Sequence, residues 1–328
     1  MKDPIVTIVV TQRERFSYTI TSLESIYKNT SLPFKLIYID GGSPSPVKNY
    51  LAIQAVEKGF KLIRAEHFIP SSKARNLAQT LVNTKYIVFI DNDVSVTPGW
   101  LEALVKCAEE TQAWVVGPTI LEGKVEDQII HTVGEEAHFK VDRGQRTFHG
   151  PQRFTQRKLA EVQNQLRRDP VECVELHCML VCNAIFETLG PLDENFVSLA
   201  EHQDLCLAVT SAGGSIYLEP DAIVAFPHLY APLKWSDLAF FYERWSEARA
   251  HANINHIRAK WNLSKDAPWI RLMSKFSKKH RRYLIRRWFP WQQYKFGRIA
   301  LFPLGFIIES FLSFLFTKKN DQPKLGRR

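Results

Sequence analysis

Two hydrophobic patterns alternate along the first 117 residues. Short, continuous apolar runs rich in β-branched residues are typical of strands buried on both faces, and stretches with apolar residues at helical spacing lie between them. Such strands pair in parallel, because each helix carries the chain back across the sheet. The pattern therefore predicts an α/β fold with an open, mostly parallel sheet flanked by helices. Strands are predicted at residues 5–10, 34–39, 60–63, 86–90 and 114–116, and helices at 16–28, 46–58, 71–82 and 97–110.

The pattern changes after the fifth predicted strand. Residues 121–170 are polar and rich in Gly, His, Gln and Arg, which predicts long loops with one short helix at 158–166. The later predicted elements are a helix at 201–212, a strand pair at 215–218 and 222–226, and a helix at 235–259. We divide the chain into a domain at 1–232 with halves at 1–117 and 118–232, a helical extension at 233–270, and a tail at 271–328.

Charge is distributed unevenly along the chain. The net charge is +9, but the first 270 residues hold 28 Lys and Arg against 32 Asp and Glu, and the last 58 hold 15 against 2. Residues 271–298 are basic and aromatic, and residues 299–316 form an apolar run interrupted by Pro303, Gly305 and Glu309. This combination favours a helix lying on an anionic membrane surface over a membrane-spanning one. The alternatives are a buried or homodimer-forming helix and, least favoured, nucleic-acid binding by the basic run.

The cysteine content indicates a reducing compartment. Five cysteines in 328 residues are odd in number and too few for a disulfide framework. Cys173, His177, Cys178 and Cys182 lie close in sequence, but their spacing matches no common zinc motif, so we interpret the cysteines as core residues. No secretion signal is predicted, because the early apolar stretch is only six residues long. We therefore expect a protein on the cytoplasmic face of the membrane.

Polar residues follow three of the predicted strands, at residues 11–13, 40–43 and 91–93. In open parallel sheets, ligands bind along the edge where the strands' carboxyl ends meet. Thr11 and Arg13 are candidate ligand contacts, Asp40 is suited to accept hydrogen bonds from a base or ribose, and Gly41 lets the backbone approach a ligand. The sequence has neither a G-x-G-x-x-G motif nor a P-loop, which disfavours dinucleotide and P-loop binding.

Asp91 and Asp93 form an i, i+2 pair directly after a buried strand, where both side chains can face one cavity. A hard cation such as Mn²⁺ or Mg²⁺ takes few carboxylates and completes its shell with water and phosphate oxygens. The pair therefore predicts a divalent-metal site. The alternative is a pair of solvated turn acids, although the position after the strand favours the metal site.

Several motifs occur in a characteristic order: Y-I-D-G-G-S at 38–43, K-A-R-N-L-A at 73–78, V-F-I-D-N-D at 88–93, L-G-P-L-D-E at 189–194 and E-H-Q-D-L-C-L at 201–207. In order and spacing they resemble the motifs of family 2 glycosyltransferases, which have the GT-A fold. The resemblance covers about residues 4–230, and an ordered series of motifs is more specific than any single one.

The resemblance implies an enzyme that transfers a sugar from a nucleotide-diphosphate donor. It implies a metal held by Asp93, with Asp91 near the ribose or the metal. The further implied donor contacts are Lys73, Arg75, Asn76 and Asn92. For Lys73 and Arg75 the alternative is a solvated helix face. Family members mostly invert the anomeric carbon in one displacement, in which a carboxylate takes the proton of the acceptor hydroxyl.

The sequence departs from the family's E-D-x-D pattern at one position, because His202 replaces the second acid, which is usually given the base role. We predict Glu201 as the base and His202 as the next candidate, since the usual pKa of histidine suits neutral pH. Asp204 lies one helical turn from Glu201 and is predicted to be structural or assisting. His228 follows the last strand, where the family often has a histidine touching metal or diphosphate; the alternative is a structural histidine.

The resulting prediction is a metal-dependent, inverting glycosyltransferase that acts on a lipid-linked or surface-glycan acceptor. Two alternatives stay open from the sequence. A sugar-phosphate nucleotidyltransferase would need a Gly-rich basic loop after the first strand, which residues 11–14 do not supply. A catalytically silent glycan-binding or membrane-binding module is suggested by His202. Acceptor choice is expected to lie in residues 121–170.

Overall fold

The fold is that of a computed structural model, which describes residues 3–227, 231, 233–288 and 307–316, with 283–288 described by backbone alone. Ten strands of the described part form one mixed sheet, and β8 and β9 form a separate hairpin. The strands are β1 (Val6–Thr11), β2 (Phe34–Gly41), β3 (Lys61–Ala65), β4 (Tyr86–Asp91), β5 (Ser95–Val96), β6 (Val115–Glu122), β7 (Ile130–Thr132), β8 (His138–Asp142), β9 (Gln145–His149), β10 (Asp169–Pro170), β11 (Cys178–Cys182) and β12 (Ile216–Phe226).

The first half of the sheet is parallel and the second half is mixed. β1 lies between β2 and β4, parallel to both, and β3 extends this parallel part beyond β2. β11 runs antiparallel between β4 and β6, and β12 pairs in parallel with β6. The strand order is β10-β12-β6-β11-β4-β1-β2-β3. The predicted α/β fold with an open sheet flanked by helices is therefore confirmed, and the sheet is parallel in its first half and mixed as a whole.

Helices cover both faces of the sheet, and every residue of β1 and β4 is buried. Val9 of β1 packs into one hydrophobic cluster, while Ile8 and Val10 pack into the cluster on the opposite face. Burial on both faces explains why these strands are continuously apolar. The helices are α1 (Thr19–Asn29), α2 (Ser45–Lys58), α3 (Ser71–Gln79), α4 (Trp100–Thr111), α5 (Leu159–Val162), α6 (Ile185–Leu189), α7 (Glu201–Ser211), α8 (Trp235–Arg244), α9 (Glu247–Lys260), α10 (Pro268–Trp288) and α11 at 307–316.

The structure corrects three predicted elements. Residues 121–170, predicted as long loops with a short helix, contain α5 but also β7 and the β8–β9 hairpin, which turns at Gly144 with φ +74°. The strand pair predicted at 215–226 is one strand, β12, with a register shift between Glu219 and Ile223. The helix predicted at 235–259 is interrupted at Ser246, whose extended backbone (ψ 150°) and side chain cap α9.

The C-terminal helices pack on the domain through polar contacts as well as apolar ones. Asp237 of α8 accepts from the backbone N–H and the hydroxyl of Ser17 at 3.0 and 2.7 Å. α11 lies against α10 through a buried ion pair, in which Arg281 donates to Glu309 at 2.6 Å. This pair accounts for the acid that interrupts the apolar run.

All five cysteines are free and four of them are buried, as expected for core residues. Across the described ranges, no helix combines the length and hydrophobicity that a membrane span requires. Much of the predicted membrane-associating tail, at 289–306 and 317–328, lies outside the described residues, and so does the predicted metal ligand His228.

Candidate functional site

The carboxyl ends of three parallel strands meet at one edge of the sheet. In the pairing register, Thr11 of β1 is aligned with Ile39 of β2 on one side and with Asp91 of β4 on the other. The polar residues that follow these strands are therefore neighbours, as the sequence predicts. We call residues 11–13, 40–43 and 91–93 the strand-end rim.

Asp91 is a buried carboxylate with three cationic or polar partners. Arg75 donates to its Oδ1 at 2.9 Å, Arg13 lies 3.3 Å from Oδ2, and His177 Nδ1 lies 3.2 Å from the same oxygen. Burial would raise the pKa of Asp91, but His177, Arg75 and Arg13 together outweigh it and lower the pKa. Asp91 is thus an ionised and fully paired acid.

Asp93 has the opposite surroundings. It is only 4% exposed, and its Oδ1 has no hydrogen-bond donor among the residues that the structure describes. Burial, followed by the charge of Asp91, raises the pKa of Asp93 to about 7. A buried carboxylate oxygen without a partner is what a bound cation requires, so the residues present fit a divalent metal.

Asp40 is buried and surrounded by donors. Gln12 and Arg64 donate to it, and Ser43 donates its backbone N–H to Oδ1 at 3.0 Å and its hydroxyl to Oδ2 at 2.7 Å. A Cβ atom on Gly41 would lie 3.0 Å from Gln12 Oε1, so a side chain there would disturb this arrangement. Gln12 belongs to the predicted cluster at residues 11–13, whereas Arg64 was not predicted from the sequence.

Two further rim residues organise the loop itself. Asn92 accepts from the backbone N–H of Arg13 at 2.9 Å and donates to Arg15 O at 3.0 Å and to the Thr19 hydroxyl at 2.9 Å. With these contacts Asn92 holds the loop after β1. Thr11 is fully buried, and its hydroxyl has no hydrogen-bond partner within the described ranges.

Helix α3 carries three predicted contacts, which the structure separates. Arg75 is buried against Asp91 and also reaches Leu176 O at 3.3 Å, so it does not lie on a solvated helix face. Asn76 donates to Leu192 O and accepts from Leu192 N–H, both at 2.9 Å, and thereby holds a neighbouring loop. Lys73 is exposed. Arg75 alone of these three faces the rim.

A cavity of about 650 Å³ opens between the rim and α7, a volume that suits a small-molecule ligand. Arg13, Arg75 and Asp91 line its rim side. Of the described residues, those lining the cavity include neither Asp40 nor Asp93, so Asp91 is the rim acid that faces it. Trp245, Trp269 and Phe276 lie among the apolar lining residues. We call the opposite side of the cavity, formed by Glu135, Gln152, Glu175, Glu201 and His202, the α7 wall.

The three predicted catalytic residues of α7 do not share one environment. Glu201 faces the cavity, accepts from the Ser71 hydroxyl at 3.0 Å and lies 3.8 Å from an Arg244 nitrogen. His202 also faces the cavity, with Nε2 3.7 Å from Glu135. Asp204 points elsewhere, since it accepts from Lys260 at 2.8 Å and from Trp261 at 3.1 Å. Asp204 therefore joins α7 to α9, as expected of a structural residue.

Sequence reasoning missed a buried carboxylate and imidazole network. Glu175 lies 3.1 Å from His131 Nε2, 3.3 Å from His177 Nε2 and 2.6 Å from the Gln152 amide, which also donates to Glu135 at 3.4 Å. The charge and the hydrogen bond of His131 hold the pKa of Glu175 well below its usual range, although burial opposes them. The network connects Asp91, through His177, with the α7 wall.

The donor atoms of His131, Glu175 and His177 lie close enough to hold a metal ion. However, Arg13 Nη1 lies 2.8 Å from His177 Nδ1, so a guanidinium already occupies this side of the cluster. Burial and the charge of Arg13 lower the pKa of His177 to about 4, so this imidazole is neutral. The cluster therefore forms a hydrogen-bonded network with Arg13.

Comparison with known proteins gives a consistent picture. GalNAc-T7, solved with UDP, GalNAc and Mn²⁺, superposes with a TM-score of 0.52 at 15% identity, over 85% of this chain and 55% of its own. The pre-mycofactocin glycosyltransferase of Mycobacterium tuberculosis is 27% identical over 240 residues, 72% of this chain and 46% of the relative. The O-antigen biosynthesis protein RfbC of Myxococcus xanthus is 24% identical over 219 residues, 64% of this chain and 16% of the relative.

The fold is of the GT-A type, a mixed sheet flanked by helices, as the likeness to that structural neighbour shows. The chain belongs to glycosyl transferase family 2, whose model matches residues 7–187. The predicted family and enzyme class, glycosyltransferase, are therefore confirmed. The chain spans less than half the length of these two relatives.

Proposed function

We propose that the chain is a divalent-metal-dependent glycosyltransferase that takes its sugar from a nucleotide-diphosphate donor at the strand-end rim. The observation that carries this proposal is Asp93, buried beside the ionised Asp91 and lacking a donor on Oδ1 in the described part of the chain. A buried anion in this state needs a cation. GalNAc-T7 was solved with UDP, GalNAc and Mn²⁺, which supports the same classes of donor and metal for this chain.

The rim residues then divide the work of holding the donor. Asp93 would hold the Mn²⁺ or Mg²⁺ near Asp91, and His228 stays a predicted further ligand. When bound, the cation stabilises the charge that builds on the departing diphosphate. Arg13 is 27% exposed, lies at the cavity edge and has further N–H groups to donate to the donor's diphosphate.

Asp40 is the proposed contact for the nucleoside. Its oxygens are engaged by Gln12, Ser43 and Arg64, and the Arg64 side chain is 18% exposed while Asp40 is fully buried. We propose that the base or ribose displaces Arg64 and takes its place as a donor to Asp40. Because the carboxylate keeps its other donors, it stays in position during the exchange.

A ligand screen tests the donor class. Thermal unfolding of the full chain is measured with UDP-, GDP-, CMP- and dTDP-sugars, each with EDTA, with Mg²⁺ and with Mn²⁺. One nucleotide sugar should raise the unfolding temperature only when the metal is present. Release of its nucleoside diphosphate, or of CMP from a CMP-sugar, then reports turnover. Asp93→Asn should abolish the metal-dependent shift, whereas the control Asp221→Asn, on an exposed acid, should keep it. Equal shifts with EDTA would contradict the metal. Release of pyrophosphate in a parallel assay with a nucleoside triphosphate and a sugar phosphate would indicate nucleotidyl transfer.

We propose a single displacement that inverts the anomeric carbon. The acceptor oxygen bonds to this carbon while the bond to the diphosphate oxygen breaks, and the departing nucleoside diphosphate keeps the electron pair. A carboxylate of the α7 wall takes the acceptor's proton. The product's anomeric configuration, determined by NMR, tests this step, and retained configuration would contradict it.

We propose that the C-terminal helices bind an anionic membrane surface and that the acceptor is a lipid-linked glycan. The exposed face of α10 carries Arg271, Lys275, Lys278 and Lys279, and residues 268–288 contain no acid. Each basic residue near an anionic surface contributes about 1 kcal/mol. The name of the relative RfbC, an O-antigen biosynthesis protein, supports a glycan acceptor.

α10 also links this surface to the cavity. Trp269, Met273 and Phe276 line the cavity from the same helix, so a lipid-anchored acceptor on the membrane would lie beside the site. α11 adds an apolar surface, because Ile307 and Phe311 are each 61% exposed although the helix is held by Glu309. An exposed apolar surface beside a cationic helix is typical of interfacial binding.

Vesicle flotation tests the membrane proposal. The full chain should float with vesicles containing phosphatidylglycerol and remain behind with neutral phosphatidylcholine vesicles. Lys275→Glu with Lys279→Glu should lower the bound fraction at least tenfold, whereas the matched control Lys61→Glu with Lys140→Glu, on exposed lysines elsewhere, should not. Equal binding to neutral vesicles, or a stable dimer by light scattering with no flotation, would contradict the proposal.

A further inference from the structure

Glu135 is placed in the α7 wall by backbone pairing. Its N–H donates to Cys173 O at 2.9 Å, and its carbonyl accepts from Cys173 N–H at 3.1 Å. This bridge fixes the side chain towards the cavity, where it is almost fully buried and still a lining residue. One carboxylate oxygen lies 3.7 Å from His202 Nε2 and accepts from the Gln152 amide at 3.4 Å. The carboxylate therefore stands beside position 202 and is oriented by a neutral donor.

His202 is poorly suited to accept a proton in this setting. Burial alone would lower its pKa, but the carboxylates of Glu135 and Glu175 outweigh burial and raise the pKa to about 9. The imidazole is therefore a cation at neutral pH, and both of its nitrogens carry protons. A group in that state can hold a carboxylate in place but has no lone pair for the acceptor's proton.

Glu201 is engaged with a hydroxyl and with a cationic side chain. Its carboxylate accepts from the Ser71 hydroxyl and lies near the Arg244 guanidinium, and its charge also acts on Arg75. A carboxylate that accepts from a hydroxyl and pairs with a guanidinium group holds both of these donors in place. Glu201 is therefore suited to orienting these arginines at the rim.

Glu135 has the environment that a base needs. Burial raises its pKa, and the neighbouring Glu175 raises it further, while the cation on His202 opposes them; the net shift is upward. A carboxylate whose proton affinity is raised in this way accepts a proton more readily near neutral pH. Cys173, also buried beside it, and Cys206, beside His202, are further titratable groups that act on this pair.

We propose that Glu135 is the catalytic base of the transfer reaction and that His202 is a positioning residue that holds it. In the step, Glu135 takes the proton of the acceptor hydroxyl as the acceptor oxygen bonds to the anomeric carbon. The bond from that carbon to the diphosphate oxygen breaks, and the nucleoside diphosphate leaves with the electron pair. This inference rests on the proposed glycosyl transfer and replaces Glu201, predicted from the sequence, in the base role.

Kinetics of isosteric variants tests the assignment. Turnover is followed as release of nucleoside diphosphate at saturating Mn²⁺, with the nucleotide sugar that stabilises the protein most. Glu135→Gln should lower kcat about 10²–10⁴-fold with little change in the donor KM, and Glu135→Asp should restore part of it. Glu136→Gln, the same change at the exposed neighbouring residue, is the matched control and should leave kcat within twofold. Glu201→Gln should lower donor affinity more than kcat.

The pH profile separates Glu135 from His202. Removing the imidazole cation raises the pKa of Glu135, because a favourable charge on its ionised form is lost. His202→Gln should therefore shift the acid limb of kcat to higher pH and keep substantial turnover at alkaline pH. An imidazole base would instead leave His202→Gln inactive at every pH, and that result would overturn the proposal. Wild-type kcat in Glu135→Gln would overturn it as well.

A measurement without substrate keeps the pair testable even where turnover is not detected. Histidine side-chain NMR, with His202→Gln used to assign the resonance, follows the titration of His202 in the apo protein. In Glu135→Gln the pKa of His202 should fall by at least one unit, because its nearest anionic partner is gone. If the pKa of His202 were unchanged in Glu135→Gln, the pairing of the two residues would be overturned. If the pKa fell as expected but no turnover were detected with any donor, the result would count against the proposed glycosyl transfer instead. If Glu135→Gln does not fold, Glu135→Asp and the His202→Gln profile decide.

Discussion

The strand-end rim and the α7 wall both carry buried carboxylates, but they neutralise them with different partners. On the rim, Asp91 is paired with Arg75 and Arg13, whose guanidinium groups stay charged throughout the physiological pH range. In the wall, Glu135 faces the imidazole of His202 and Glu175 faces that of His131, groups whose positive charge is lost once the pH rises above their pKa. The rim therefore presents an almost constant field, whereas the charge of the wall depends on pH.

This difference matches two kinds of chemistry. A departing diphosphate develops negative charge and needs fixed cations, which guanidinium groups and a metal supply. An acceptor hydroxyl loses a proton and needs a group whose proton affinity can be set by its neighbours. Asp93 is the exception on the rim, because burial makes its carboxyl titrate near neutrality until a cation arrives. Single substitutions in the rim or in the wall should separate these two roles.

The largest effect is expected at Asp93. Asp93→Asn should lower transfer about 10³-fold, because the rim loses the carboxylate that holds the cation stabilising the leaving group. The free energy of unfolding should be unchanged or higher without metal, since a buried charge is removed along with the need to neutralise it. Turnover with Mn²⁺ and chemical denaturation with EDTA measure the two expectations. Full activity of this variant would show that the cation binds elsewhere.

Asp91→Asn is expected to act mainly on stability. Removing this charge leaves Arg75 buried without its anionic partner, and breaking a buried ion pair typically costs about 3–5 kcal/mol. The midpoint of urea unfolding should fall accordingly, in contrast to Asp93→Asn. A variant as stable as the wild type would mean that Arg75 finds another acceptor, for which Leu176 O at 3.3 Å is the nearest candidate.

The contrast between rim and wall also explains what the sequence could predict. Each rim cluster directly follows a buried parallel strand, so a local pattern places Asp40 and Asp91 on one edge of the sheet. The pairing of these acids was not visible, because Arg64 and Arg75 belong to other elements. Arg75 was predicted as a donor contact and not as the partner of Asp91, and Arg64 was not predicted at all. That Asp93 lacks a donor within the described residues is likewise a tertiary fact.

The wall could not be predicted, because its residues come from segments with no periodic signal. Glu135 lies in the polar stretch between β7 and β8, and Glu175 and His177 lie in the short segment that leads into β11. A single acid in such a stretch is most often solvated, so only the long-range pairing of residues 135 and 173 reveals its burial. His202 could be recognised as a departure, while the carboxylate beside it could not.

A pH-dependent effect of intermediate size should distinguish Asp93 from its neighbour. Its pKa is 3.8 as an ordinary aspartate and about 7 in the folded protein, so the folded state binds an extra proton between these values. Metal-free stability should therefore fall as pH rises through this window, by at most about 4 kcal/mol. Because Mn²⁺ binds the deprotonated form, adding it should reduce or reverse the trend. Asp93→Asn has no carboxyl that titrates at this position, so the difference in unfolding free energy between wild type and variant isolates the effect of Asp93. Identical dependence of stability on pH in the two proteins would contradict the raised pKa of Asp93.

The smallest effect is expected at Asp204, which shares a helix with His202 but belongs to neither side of the comparison. Asp204→Asn removes the ion pair with Lys260, a residue about one-third exposed, and keeps an acceptor for Trp261. Stability should fall by about 1 kcal/mol or less, and turnover should stay within twofold. Thermal unfolding and the nucleoside diphosphate assay measure both. If turnover fell a hundredfold while stability held, the acceptor would have to reach the outer side of α7, and Asp204 would belong to the site together with the residues of the α7 wall.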